Sequence, residues 1–105
     1  MYAVIRHFAR MRSTEEAGRR AVTGLGPLLR DAPGFRGYYV VDSGGGSGLS
    51  ISLFDTREAA ERSHQQALEW IRQNLSDLTD SQPQVLAGEV VGSVTNEAGR
   101  ANAAA

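Results

Sequence analysis

Two stretches of this chain, Tyr38-Tyr39-Val40-Val41 and Val85-Leu86-Ala87-Gly88-Glu89-Val90-Val91, carry apolar residues at odd and even positions alike. Side chains of a strand alternate between its two faces, so strands of this kind need cover on both sides. The chain has too few helices to cover both faces of a sheet. A second copy of the chain is the expected cover for the other face, so a homodimer is the expected state.

The pass along the chain gives an order of elements. Tyr2 to Phe8 reads as a first strand. Ser13 with Glu16 three residues on forms a capping box, and a helix follows from about Thr14. Gly24 and Gly26-Pro27 interrupt it, and Leu28-Leu29-Arg30 adds one more turn. Ala32-Pro33-Gly34 is a turn into a second strand, Phe35 to Asp42. Ser43 to Gly48 is a flexible link to a third strand, Leu49 to Phe54, and the pair reads as a hairpin. Asp55 or Thr56 caps a long helix whose apolar stripe holds Ala60, His64, Ala67, Leu68, Ile71 and Leu75. Ser76 to Pro83 is a polar connection, and Gln84 to about Thr95 is the last strand. The order strand, helix, strand, strand, helix, strand predicts an α+β ferredoxin-like βαββαβ antiparallel sheet with two helices on one face. Residues 1–95 form one domain on this reading, and 96–105 a disordered tail.

Bulk properties remove several function classes. The net charge of −1 argues against a nucleic-acid binder, which concentrates positive charge. There is no cysteine, so thiolate metal sites, disulfides and cysteine nucleophiles are excluded. All eleven basic residues are arginine, a bias that fits a GC-rich bacterial genome and leaves no lysine for Schiff-base chemistry. Met1 to Arg6 has no charged region followed by a long apolar stretch, and no apolar run would span a bilayer. The expected location is the cytoplasm, with no membrane partner. Two distant histidines form no metal motif. The glycines at 44, 45, 46 and 48 precede a strand and no P-loop lysine accompanies them, so they read as a hairpin loop and not a phosphate cradle. Arg10, Arg12, Arg19 and Arg20, balanced by Glu15 and Glu16, read as a solvated face.

The layout resembles the dimeric α+β barrel superfamily, close to the antibiotic-biosynthesis-monooxygenase-like proteins. Four segments carry the resemblance: Tyr2-Ala3-Val4-Ile5-Arg6, the Pro33-Gly34-Phe35 turn, Ser50-Ile51-Ser52-Leu53-Phe54 leading into an Ala-rich helix with Trp70, and Gly88-Glu89-Val90. It implies a dimer of face-to-face sheets and, in each subunit, a pocket between sheet and helices for a small aromatic or hydrophobic ligand. It implies no cofactor: oxygen chemistry would draw on the substrate's own electron-rich carbanion. Haem-degrading members use an asparagine on the first strand, a tryptophan on a strand and a helix histidine. His64 matches the last, but the first strand has no asparagine and Trp70 is on the helix, so haem degradation does not fit.

The candidate pocket residues are Arg6, Tyr38, Tyr39, Ser52, His64 and Trp70. His64 is either a pocket histidine or a half-buried one bonded to a neighbour. Trp70 either walls the pocket or packs in the core or the dimer contact. Tyr38 and Tyr39 point to opposite faces, one to the pocket and one to the dimer. Arg6 either pairs with Glu89 on a neighbouring strand or binds a ligand. Ser50 and Ser52 share a strand face with Phe54, and no serine sits at a strained elbow that would suggest a catalytic triad. Two leading functions stay open, a monooxygenase-like ligand pocket and a non-catalytic binding or structural homodimer, with haem binding as a third. The first expects an open cavity walled by His64 or Trp70. The second expects both packed against Ile71, Phe54 and Leu53 with no void.

Overall fold

The computed structural model describes residues 1–80 and 82–96. Strand β1 (Tyr2–Phe8) leads into a helical run in three parts: α1 (Thr14–Arg20), a π-helical stretch (Ala21–Leu25) and α2 (Gly26–Arg30). Strands β2 (Phe35–Gly44) and β3 (Ser47–Phe54), helix α3 (Arg57–Asn74) and strand β4 (Gln84–Glu89) follow. Helix α1 starts where Ser13 Oγ accepts the Glu16 N–H at 3.1 Å, and α3 where Thr56 Oγ1 accepts the Ala59 N–H at 3.1 Å. Each bond satisfies a donor that the first helical turn leaves unpaired.

Gly24 and Gly26 do not break the first helix; Gly24 lies in the π-helical stretch and Gly26 opens α2. Trp70 explains the need for glycine at 24. A Cβ there would lie 2.7 Å from Trp70 Cζ2, so the indole packs directly on the helix backbone.

The sheet order is β2-β3-β1-β4, all antiparallel, which is the ferredoxin-like arrangement. Helix α3 packs on β1 and β3, and α1 and α2 pack on β2. One core cluster joins Val4 and Phe54 of the sheet to Leu25, Leu29, Ala59, Ala60 and Ala67 of the helices, and Phe35 meets Phe54 edge to face at 5.8 Å. A second joins Phe8 and Met11 to Ala17, Ile71, Leu75 and Leu78.

The register assigns each side chain to a face, because residues directly opposite in a ladder share one. Rows Tyr38–Ser52–Val4–Ala87 and Val40–Ser50–Arg6–Val85 face the helices. Rows Tyr39–Ile51–Ile5–Leu86 and Val41–Leu49–His7–Gln84 face away. This second face is apolar along its centre and left uncovered by the described residues: Tyr39 is 59% exposed and Leu86 60%. The two-sided strands are therefore real, but only one side meets helices.

Three boundaries differ from the sequence reading. The hairpin is tighter than expected, because β2 runs to Gly44 and pairs with Ser47, leaving Gly45-Gly46 as a two-residue turn. Both turn residues have positive φ, 62° and 79°, which glycine adopts without strain. Strand β4 ends at Glu89 and not near Thr95. Its partner β1 begins at Tyr2, opposite Glu89, and one further bond from Val90 N–H to Met1 O at 2.8 Å uses the last available acceptor. Beyond it Val91 and Val94 are almost wholly exposed. Apart from Asn96, the tail expected over 96–105 lies outside the described residues.

Candidate functional site

A charged residue sits at the centre of the helix-facing side of the sheet. Arg6 on β1 is 1% exposed, beneath α3. Its Nε donates to His64 Nδ1 at 3.1 Å, and its Nη1 donates to Ser52 Oγ at 3.1 Å and to Ser50 Oγ at 3.3 Å. The two serines are side by side because positions 50 and 52 of β3 point the same way, and position 6 of β1 lies directly opposite Ser50. His64 reaches the guanidinium from the α3 turn above. Tyr38 borders the same group: it pairs across the ladder with Ser52 and interacts with Ser50.

The expected ion pair between Arg6 and Glu89 does not form. Arg6 lies opposite Val85, four residues from Glu89 along β4, and Glu89 lies 3.9 Å from the N-terminal ammonium. Among the described residues Arg6 has no acidic partner, and its Nη2 is the one buried side-chain polar atom without a hydrogen bond. Burial of a guanidinium without a counter-charge costs on the order of several kcal/mol.

Electrostatics follow from that burial. Desolvation lowers the Arg6 pKa from its usual value, with the Tyr38 hydroxyl opposing the shift. Arginine starts so high that the group stays cationic at neutral pH. Desolvation raises Tyr38 above an ordinary tyrosine, with Arg6 and Ser50 pulling the other way, so the phenol stays neutral and supplies no counter-charge. His64 is lowered, first by desolvation and then by the Arg6 charge. Because its Nδ1 accepts the Arg6 bond, the proton of neutral His64 resides on Nε2. In this state His64 is a donor at Nε2 and an orienting acceptor at Nδ1, not a free base.

Beside the cluster a narrow cleft runs between the sheet and α1, lined by Tyr38, Ser50, Val40, Met11, Ile71 and Leu75 among others. About 30 Å³ of it is open to the centre of a water molecule, room for roughly two or three waters. Neither function expected from the sequence fits unmodified. A cavity exists, but its wall contains neither His64 nor Trp70. Trp70 packs on Gly24 and joins both core clusters, and Leu53 lies on the opposite face of the sheet.

Of the six candidates, Arg6, Ser52 and His64 are joined by direct hydrogen bonds and Tyr38 borders them. Tyr39 faces away from the helices, and Trp70 belongs to the helix packing. Ser50 was not among the candidates; its signal was its position two residues before Ser52 on an otherwise apolar strand.

No family model and no curated protein matches the chain in sequence. Solved structures do match in shape. A protein of unknown function from Nitrosomonas europaea superposes with a TM-score of 0.70 at 14% identity, over 90% of this chain and 93% of that one. The ActVA-Orf6 monooxygenase of Streptomyces coelicolor, solved with nanaomycin D, gives 0.68 at 17% identity over 91% and 92%. SnoaB, a cofactor-independent oxygenase from Streptomyces nogalater, gives 0.68 at 11% identity over 90% and 97%. The chain has the fold of the antibiotic-biosynthesis-monooxygenase-like proteins. At these identities the likeness carries the architecture, and residue roles must come from this chain. Among the described residues no helix is long and apolar enough to cross a membrane, and no three or more His, Cys, Asp or Glu side chains gather as a metal site.

Proposed function

We propose that the protein binds a small aromatic or hydrophobic molecule between sheet and helices and oxidises it without a redox cofactor, as a cytoplasmic homodimer. The observation that carries this reading is the buried group Arg6–His64–Ser50–Ser52 bordered by Tyr38. Five polar side chains meet at one point of an aliphatic core, next to a cleft, where packing alone would favour hydrocarbon. The fold supports it, since cofactor-independent oxygenases share this architecture. In such chemistry an electron-rich substrate carbanion reacts directly with dioxygen. The chain's part is to hold the substrate's oxygen substituents, exclude water and stabilise the deprotonated form.

The dimer reading rests on the uncovered face. Tyr39, Val41, Leu49, Ile51, Ile5 and Leu86 form an apolar surface that a two-fold partner presenting the same surface would cover. A stable contact would bury roughly 800 Å² per partner.

Oxygen uptake tests the catalytic reading. With a readily deprotonated anthrone as substrate and no added cofactor, the purified protein should consume oxygen above the spontaneous rate and yield the quinone. Binding without oxygen uptake would leave the second reading, a non-catalytic binding dimer. The small cleft and the packed Trp70 fit the structural form of that dimer, because a ring enters only if the apolar lining moves.

A further inference from the structure

The donors of Arg6 are unevenly used. A guanidinium carries five N–H groups. Those on Nε and Nη1 meet three neutral acceptors: His64 Nδ1, Ser50 Oγ and Ser52 Oγ. Both N–H groups of Nη2 are buried and meet no hydrogen-bond partner among the described residues. Neutral acceptors satisfy hydrogen bonds but leave the charge uncompensated. The row neighbours on the sheet are Ser50 and Val85, and the contact from α3 is His64; none supplies a negative charge. The acids of α3 lie elsewhere: Glu58 is exposed in the first turn, Glu61 bonds Arg57, and Glu69 bonds Arg72 and Gln73. Arg6 itself does not line the cleft; Ser50 stands between them, accepting from Nη1 and lining the cleft wall, so a ligand reaches Nη2 only when this lining moves.

We infer that Arg6 is the receptor for an anionic oxygen, and that the ligand of this pocket is a small aromatic anion, a phenolate or an aryl carboxylate, held end-on by Nη2. The inference rests on the pocket reading above. His64 and the two serines fix the guanidinium on three sides and leave one nitrogen to bind. Charge-assisted bonds of this kind are strongest where water is excluded. His64 acts here as a positioning residue.

Three probes test this by calorimetry: benzoate for the carboxylate, 4-nitrophenol for the phenolate and benzyl alcohol as a neutral ring. The wild-type protein should prefer at least one anion over benzyl alcohol by tenfold or more. If 4-nitrophenol is that ligand, its ionisation should move to lower pH on binding, seen as growth of the yellow phenolate absorbance. Arg6→Met should lose the anion preference and retain affinity for benzyl alcohol. Equal affinity of the wild type for neutral and anionic rings would overturn the receptor role and leave the pocket standing. Binding of none of the three would remove the pocket and the inference together. Should Arg6→Met fail to fold, melting of the wild type decides: benzoate or 4-nitrophenolate must raise the midpoint above that in chloride of equal ionic strength, and a midpoint unchanged by both overturns the inference.

Discussion

Ile51→Glu is the sharpest probe of the uncovered sheet face. Ile51 stands at the middle of the outward row, between Tyr39 on β2 and Ile5 on β1, with Leu86 beyond. In a lone chain a carboxylate at this position points to solvent, so the cost to folding is limited to strand preference, under about 1 kcal/mol. In the dimer the same carboxylate is pressed against an apolar partner with no cation in the row. Stranding it there costs at least about 3 kcal/mol. A two-fold interface contains the substitution twice, so the dimer loses about 6 kcal/mol. At about 1.4 kcal/mol per decade this is roughly four decades in dissociation constant. A nanomolar dimer would then dissociate at about 10 μM. Native mass spectrometry and sedimentation at micromolar concentration report the subunit number, and circular dichroism reports whether the monomer stays folded. A variant that remains dimeric refutes this use of the face, and so does a wild type that is already monomeric with the face bare.

Other substitutions probe single contacts. Gly24→Ala places a Cβ against the Trp70 ring and should cost about 1–3 kcal/mol in urea unfolding; an unchanged midpoint would mean the indole relocates freely. Thr56→Ala removes the N-cap of α3 and should cost about 1 kcal/mol, whereas Thr56→Ser should restore most of it. His64→Asn keeps an acceptor near Arg6 and removes the titration. The native pKa of His64 is lowered, so above about pH 6.5 the imidazole is neutral in both folded and unfolded states and its full contribution is present. As pH falls below that value the unfolded chain takes up the proton first, and stability is lost until the native pKa is passed. The wild type should therefore lose stability relative to the Asn variant on acidification, and parallel curves would contradict the depressed pKa.

The candidate site was partly legible in the sequence. Arg6, Ser52 and His64 were among the candidate pocket residues, and polar residues on apolar elements must find one another if they are buried. Ser50 carried the same signal at strand spacing. The Arg6–Glu89 pairing failed because proximity of two strands does not fix which residues face each other. Register does, and it places Val85 opposite Arg6. Trp70 was left between pocket wall and core packing because helical periodicity locates a residue on a flank but says nothing of what packs there. The answer was Gly24, read from the sequence only as a helix breaker.

By itself the sequence determined the order of elements, the helix starts and the two-sided character of the strands, since caps, turns and side-chain alternation act over a few residues. Only the tertiary structure decided which parity of each strand turns inward, so that Tyr38 meets the core and Tyr39 the solvent. It also decided that β4 stops where β1 runs out of partners and that Arg6 is buried with no acid beside it among the described residues. A strand apolar on both faces carries no local signal for which side is core. Pairing between residues more than forty positions apart must choose, and the charge at Arg6 follows that choice.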